Sequence, residues 1–115
     1  MKAKPLRIVV GPDGNTSYMP CEPSEATHIM LNTPGPIPTR ILPVMIKGTR
    51  AGTGNWTWNG DTEKPTLHPS VLSRCPPICE RCHSFINNGQ IQFLADCTHE
   101  LVNQTLDLLD VDQPL

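Results

Sequence analysis

The apolar positions of this chain come in short alternating runs separated by turn-forming residues, and no helical period is sustained. Residues 7–10 read as a short strand that stops at Gly11-Pro12-Asp13-Gly14-Asn15. Proline presets φ there, and glycine and asparagine tolerate positive φ. Residues 16–26 are polar with two prolines and read as a loop. A strand is expected at 28–31. Three prolines between 33 and 38 rule out helix, and 41–46 reads as an edge strand because Pro43 lies inside it. A loop is expected over 48–54. Trp56-Thr57-Trp58 is a strand entering a turn at Asn59-Gly60, and 66–72 is a strand interrupted by Pro69. In the last third, 84–87 and 90–95 are β-prone runs flanking Asn88-Gly89, a strong hairpin signal. Asp96 or Thr98 is placed to cap one or two helical turns through Val102, with Asn103 in the left-handed position that ends them. Residues 105–109 read as a last strand. The expectation is a mainly β protein: a small antiparallel β domain with one short helix and a Cys/His-rich hairpin.

The hairpin sorts its side chains. With a two-residue loop, Asn87 faces Gln90, Ile86 faces Ile91, Ser84 faces Phe93 and Cys82 faces Ala95. Side chains alternate faces along each strand. Cys82, Ser84, Ile86, Ile91, Phe93, Ala95 and Cys97 then share one face, the more apolar and so the inward one. His83, Phe85, Gln90, Gln92, Leu94 and Asp96 share the other. A three-residue loop with Gly89 in the left-handed region shifts the register, and His83 rather than Cys82 then joins Cys97 and His99. Both registers remain open at this level.

Composition sharpens the reading. A chain of 115 residues with 37% hydrophobic content and 13 prolines suits one domain with a modest core, for which a metal staple is a common aid. The formal charge of −2 disfavours nucleic acid as a partner, since phosphate binding calls for a basic surface. No run approaches the roughly 20 apolar residues of a membrane helix, and the apolar run at residues 8–10 is too short for a signal peptide. A cytoplasmic setting is therefore expected. Five cysteines in a reducing compartment are first read as metal ligands, nucleophiles or buried apolar groups.

Two chemistries fit the segment from Cys75 to His99. Zinc takes about four N/S ligands in a tetrahedron. Cys79 and Cys82 form a Cys-x-x-Cys pair, and Cys97 and His99 complete a set from across the hairpin. Alternatively a thiol acts as nucleophile, beside a base that a third group orients. Cys82 or Cys97, with His83 or His99 and Asp96, supplies those three types. Cys21, Cys75 and His68 are weaker candidates. Trp56 and Trp58 share a strand face and are expected to cover the core.

Several motifs carry a family resemblance. Trp-Thr-Trp-Asn-Gly-Asp at 56–61 is followed by Lys-Pro-Thr-Leu-His-Pro-Ser-Val-Leu at 64–72. Next come Cys-His-Ser-Phe-Ile-Asn-Asn-Gly-Gln-Ile-Gln-Phe-Leu at 82–94, Asp-Cys-Thr-His-Glu-Leu at 96–101 and Gln-Thr-Leu-Asp-Leu at 104–108. In that order they resemble an uncharacterised family of small bacteriophage and bacterial proteins often labelled "ammonia monooxygenase". Nothing in the residues suggests a membrane copper oxygenase, so the label does not describe them. The resemblance covers about half the chain. It implies one domain over 1–115, with a variable, loop-rich part at 1–55 and a family-like β core at 56–108. It also implies zinc binding. The upstream Cys-Pro-Gly-Cys of relatives corresponds to Thr33-Pro34-Gly35-Pro36, where both cysteines are absent; Cys75 and Cys79 are the available substitutes. Cys82, His83, Asp96 and His99 match the family pattern, and some relatives carry serine in place of Cys97. Cellular relatives lie beside ubiquitin-like conjugation genes, which implies isopeptidase-like hydrolases among them.

Two functions follow as expectations. One is a phage-type accessory protein with a zinc-stapled β fold that binds a host or phage protein. The other is a peptidase- or isopeptidase-like hydrolase using a Cys-His-Asp set or a zinc-bound water.

Overall fold

Alternating burial along short segments builds ten strands among the described residues, which in this computed structural model are 1–45, 56–77 and 79–111. In chain order they are β1 (Lys4–Val10), β2 (Thr16–Pro20), β3 (His28–Asn32), β4 (Thr39–Met45), β5 (Trp56–Trp58), β6 (Leu67–His68), β7 (Val71–Cys75), β8 (Cys79–Asn87), β9 (Gln90–Phe93) and β10 (Thr105–Asp107). Six form one sheet in the order β2-β1-β3-β4-β5-β6, and four form a second in the order β10-β9-β8-β7. All pairings are antiparallel except β4 with β5. The inward side chains of both sheets merge into one core. Ile29, Leu31, Val44, Trp58 and Leu67 come from the first sheet, and Val71, Cys82, Ile86, Ile91 and Phe93 from the second. The mainly β fold class expected from the sequence is the one observed.

Four local readings change. Residues 16–20 are not loop but β2, a strand exposed at every position and paired with β1. Its backbone ladder forms it, so no apolar alternation marked it. β4 is not an edge strand, because it lies between β3 and β5. Pro43 is tolerated because, among the described residues, β5 pairs with Val44 and Met45, beyond the proline. The single stretch at 66–72 divides into β6 and β7, which belong to different sheets and leave Ser70 between them.

The helix expected after Asp96 is instead a series of turns, and the one helical element among the described residues is a 3-10 turn at Pro23–Glu25. Residues 97–98 bond to β8 rather than to one another. The Thr98 amide donates to the Arg81 carbonyl at 3.0 Å, and Thr98 Oγ1 accepts the amides of Glu80 and Arg81, each at 2.9 Å. Asn103 does take the left-handed conformation, with φ of 64°. The loop expected at 48–54 lies outside the described residues. No helix among the described residues is long and apolar enough to cross a membrane.

The hairpin takes its two-residue register. Ile86 pairs with Ile91 and Asn87 with Gln90 across Asn88 (φ 52°) and Gly89 (φ 78°), a turn with both central residues left-handed. Cys82, Ser84, Ile86, Ile91, Phe93 and Cys97 are buried, while Phe85, Gln90, Gln92 and Asp96 are exposed and His83 is half-buried.

Candidate active site

The register decides which face His83 takes. Its neighbours Cys82 and Ser84 are both 0% exposed, so period-two alternation turns the imidazole outward. Directly across on β7 stands Leu72, on the same outer face.

Asp96 reaches that face because the chain turns sharply after β9. The Leu94 amide donates to the His83 carbonyl at 2.9 Å, and the Cys97 amide closes the turn onto the Leu94 carbonyl at 3.2 Å. Cys97 fastens the turn from the core side. Its thiol donates to the His83 carbonyl at 3.0 Å and accepts the His83 amide at 3.3 Å. Asp96 between them is held against the imidazole, with Oδ1 and Oδ2 at 3.1 and 3.0 Å from His83 Nδ1. Arg81 Nη1 stands 3.7 Å from Asp96 Oδ2, an exposed contact that adds little energy.

The third group is Ser70, in the crossing between the sheets. Its carbonyl accepts the indole N–H of Trp56 at 3.3 Å, which ties the crossing to β5. Its hydroxyl oxygen lies 2.9 Å from His83 Nε2. A carboxylate at Nδ1 favours the tautomer with the proton on that nitrogen, leaving Nε2 to accept from the serine hydroxyl. Carboxylate, imidazole and hydroxyl thus form one hydrogen-bonded chain, Asp96–His83–Ser70, on a half-exposed surface. That geometry is the serine-nucleophile constellation, recognised by roles rather than by chain order.

Of the sequence-derived candidates, the structure brings His83 and Asp96 together. The thiols of Cys82 and Cys97 face the other way. Cys82 is fully buried, and its sulfur accepts a hydrogen bond from Arg40 Nη2 at 3.2 Å. His99 stands apart, its ring edge-on to Phe93 at 4.7 Å between centroids and its Nδ1 accepting the Leu101 amide at 3.2 Å. Burial, and then the nearby Arg40 charge, holds the His99 pKa below the usual histidine value. Ser70 was missed by residue-level reading. Its only sequence signal was membership in the 64–72 motif, whose residues 66–72 read as a strand interrupted by Pro69, and that reading hides the crossing.

The zinc set expected from the sequence was Cys79, Cys82, Cys97 and His99. The side chains of Cys75 and Cys79 lie outside the described ones. Among the described residues, no group of three or more His, Cys, Asp or Glu side chains is arranged around a common point. The described members fit a zinc ion poorly, because Cys82 faces a guanidinium and the Cys97 thiol is engaged with the His83 backbone.

A model of the family described as "Bacterial ubiquitination-like system serine protease (BubE)" matches residues 8–94. No curated protein and no solved structure matches the chain. The match reaches back into the first sheet, beyond the motifs at 56–108, and the family it identifies is a bacterial one. It lends no support to the oxygenase label, to zinc or to a bacteriophage origin. Because the match spans well over half the sequence, the chain belongs to the bacterial ubiquitination-like system serine protease (BubE) family.

Proposed function

We propose that this protein is a serine hydrolase that cleaves peptide or isopeptide bonds, with Ser70 as nucleophile, His83 as general base and acid, and Asp96 as the group that orients His83. The observation that carries the reading is the 2.9 Å contact between Ser70 Oγ and His83 Nε2, with Asp96 on the opposite ring nitrogen. The family's description supports the same chemistry, and it supports a ubiquitin-like protein or its conjugates as the substrate class. Nothing comparable supports the zinc-stapled accessory protein.

In the first half-reaction Ser70 Oγ adds to the scissile carbonyl carbon and its proton passes to His83 Nε2. The resulting imidazolium is stabilised by the Asp96 carboxylate. Collapse of the tetrahedral intermediate breaks the C–N bond. His83 gives its proton to the departing amine, and an ester on Ser70 remains. Water then adds to that ester while His83 takes its proton. The second collapse returns the proton to Ser70 Oγ and releases the carboxylic acid. The sequence-level nucleophiles Cys82 and Cys97 are replaced by an oxygen in this scheme, because their sulfurs lie on the core face.

The test is labelling by a fluorophosphonate, a serine-directed reagent, with the modified residue mapped by mass spectrometry. Ser70 is expected to carry the adduct, and Ser70→Ala to abolish both labelling and hydrolysis of a ubiquitin-like fusion or peptide amide. Thiol alkylation of the native protein is expected to leave hydrolysis intact. Undiminished turnover by Ser70→Ala, or a fluorophosphonate adduct mapped to a residue other than Ser70, overturns the assignment.

A further inference from the structure

The outer face of the β7–β8 pair carries two exposed apolar side chains. Leu72 is 60% exposed and Phe85 is 40% exposed. Both border the nucleophile. Leu72 is the direct cross-strand partner of His83. Val71, which follows Ser70, pairs with Ser84, which precedes Phe85. His83 and Phe85 are two apart on β8 and so share a face. The Ser70 hydroxyl reaches that face, where it meets His83 Nε2 at 2.9 Å. Leu72, across from His83, and Phe85, two residues along from it, therefore flank the Ser70–His83 pair on one face.

An acyl group delivered to Ser70 Oγ arrives at the face that His83, Leu72 and Phe85 share. Its chain then passes against Leu72, Phe85 or both. Neither side chain belongs to the buried core cluster. Single exposed apolar side chains are ordinary on a protein surface, and what sets these two apart is their place beside His83 and Ser70.

We infer that Leu72 and Phe85 are specificity-determining residues that grip an apolar side chain of the substrate close to the scissile bond. The inference rests on the serine hydrolase reading and names the substrate side chain that site selects. The substrate class is a peptide or protein segment carrying a Leu- or Phe-like residue within a few positions of the cleaved bond. The contact desolvates substrate apolar surface against the pair, and it shields the Ser70–His83 hydrogen bond from water while the acyl group is bound.

The test uses the full chain and peptidyl aminocoumarin amides in which each of three positions before the scissile bond is varied among Leu, Phe, Ser and Asp. The parent is expected to prefer Leu or Phe over Ser and Asp by about tenfold or more in kcat/KM at one of these positions, the discrimination a well-fitted apolar contact gives. Leu72→Ser and Phe85→Ser are expected to erase that preference by lowering kcat/KM on the Leu and Phe substrates toward the values for Ser and Asp. Both positions are exposed, so the variants should melt within a few degrees of the parent, which separates selectivity from folding. A parent that hydrolyses these amides without apolar preference, or variants that keep it, overturns this inference and leaves the triad standing. A parent that hydrolyses none of them, and whose Ser70 takes no fluorophosphonate, overturns the hydrolase reading and this inference together.

Discussion

The Cys97 thiol clamps the backbone of His83 from the core side, donating to its carbonyl at 3.0 Å while accepting its amide at 3.3 Å. The imidazole of the same residue points the other way, to Asp96 and Ser70. A buried cysteine thereby positions a proposed catalytic histidine without touching its ring. Replacing Cys97 with Ser is expected to preserve the clamp, since a hydroxyl both donates and accepts. Cys97→Val removes both bonds, and unfolding in urea should show a loss of about 1–3 kcal/mol. The rate of Ser70 labelling should fall with it, as His83 loses its support.

Asp96→Asn tests the orienting carboxylate. The side chain is exposed, so the melting temperature should hardly move. Hydrolysis should fall by about 10⁴, because a neutral amide no longer selects the tautomer that leaves Nε2 free to accept a proton. Added to Ser70→Ala, the same change should cost little more, since the three groups act as a unit. Full additivity in the double variant would point to separate roles.

His99 predicts an acid-dependent loss of stability. Burial, then Arg40, lowers its pKa in the folded protein below the ordinary value of 6.5. Above that value both folded and unfolded chains hold a neutral imidazole, and the full stability is present. As pH falls below it, the unfolded chain takes up a proton that the folded chain resists, so stability is lost on acidification. His99→Asn retains an acceptor for the Leu101 amide but does not titrate. Its melting temperature should therefore decline less than the parent's between about pH 8 and about pH 5. Parallel declines would remove His99 as a cause.

Gly89 is the residue on which the hairpin turn depends most. At φ 78°, a Cβ there would meet the Glu63 carbonyl oxygen at 3.2 Å and Lys64 Cα at 3.3 Å. Its amide and carbonyl are also engaged, with the Pro65 carbonyl and the Leu108 amide, each at 3.0 Å. Gly89→Ala should destabilise the fold by about 1–2 kcal/mol, measured by denaturant unfolding. The folded fraction should keep the hairpin register and hence the activity per folded molecule.

Much of this architecture was legible before any coordinates. Alternation at 28–31 and 90–93 reflects a local rule, that successive strand residues face opposite sides. Asn88-Gly89 marked the hairpin but allowed a two-residue or a three-residue loop, and the observed pairing of Ile86 with Ile91 selects the first. In that register His83 and Asp96 fall on one face, and Cys82 and Cys97 on the other. The resemblance over 56–108 offered a zinc-stapled accessory protein first and a hydrolase only as the alternative, and it did not single out Ser70. β2 escaped notice because an exposed strand leaves no burial pattern, and the turns after Asp96 replaced a helix because their amides and side chains found partners on β8.

What the sequence determined by itself was therefore local: the β class, most of the strands and the hairpin. What only the tertiary structure decided was which distant groups meet. Ser70 reaches His83 because the chain crosses from one sheet to the other between β6 and β7, and Cys82 is withdrawn toward Arg40 from the opposite sheet. Alternation and turn chemistry are properties of neighbouring residues. A hydrogen bond between side chains thirteen residues apart depends on the path of the chain between them and on the core that holds both sheets together.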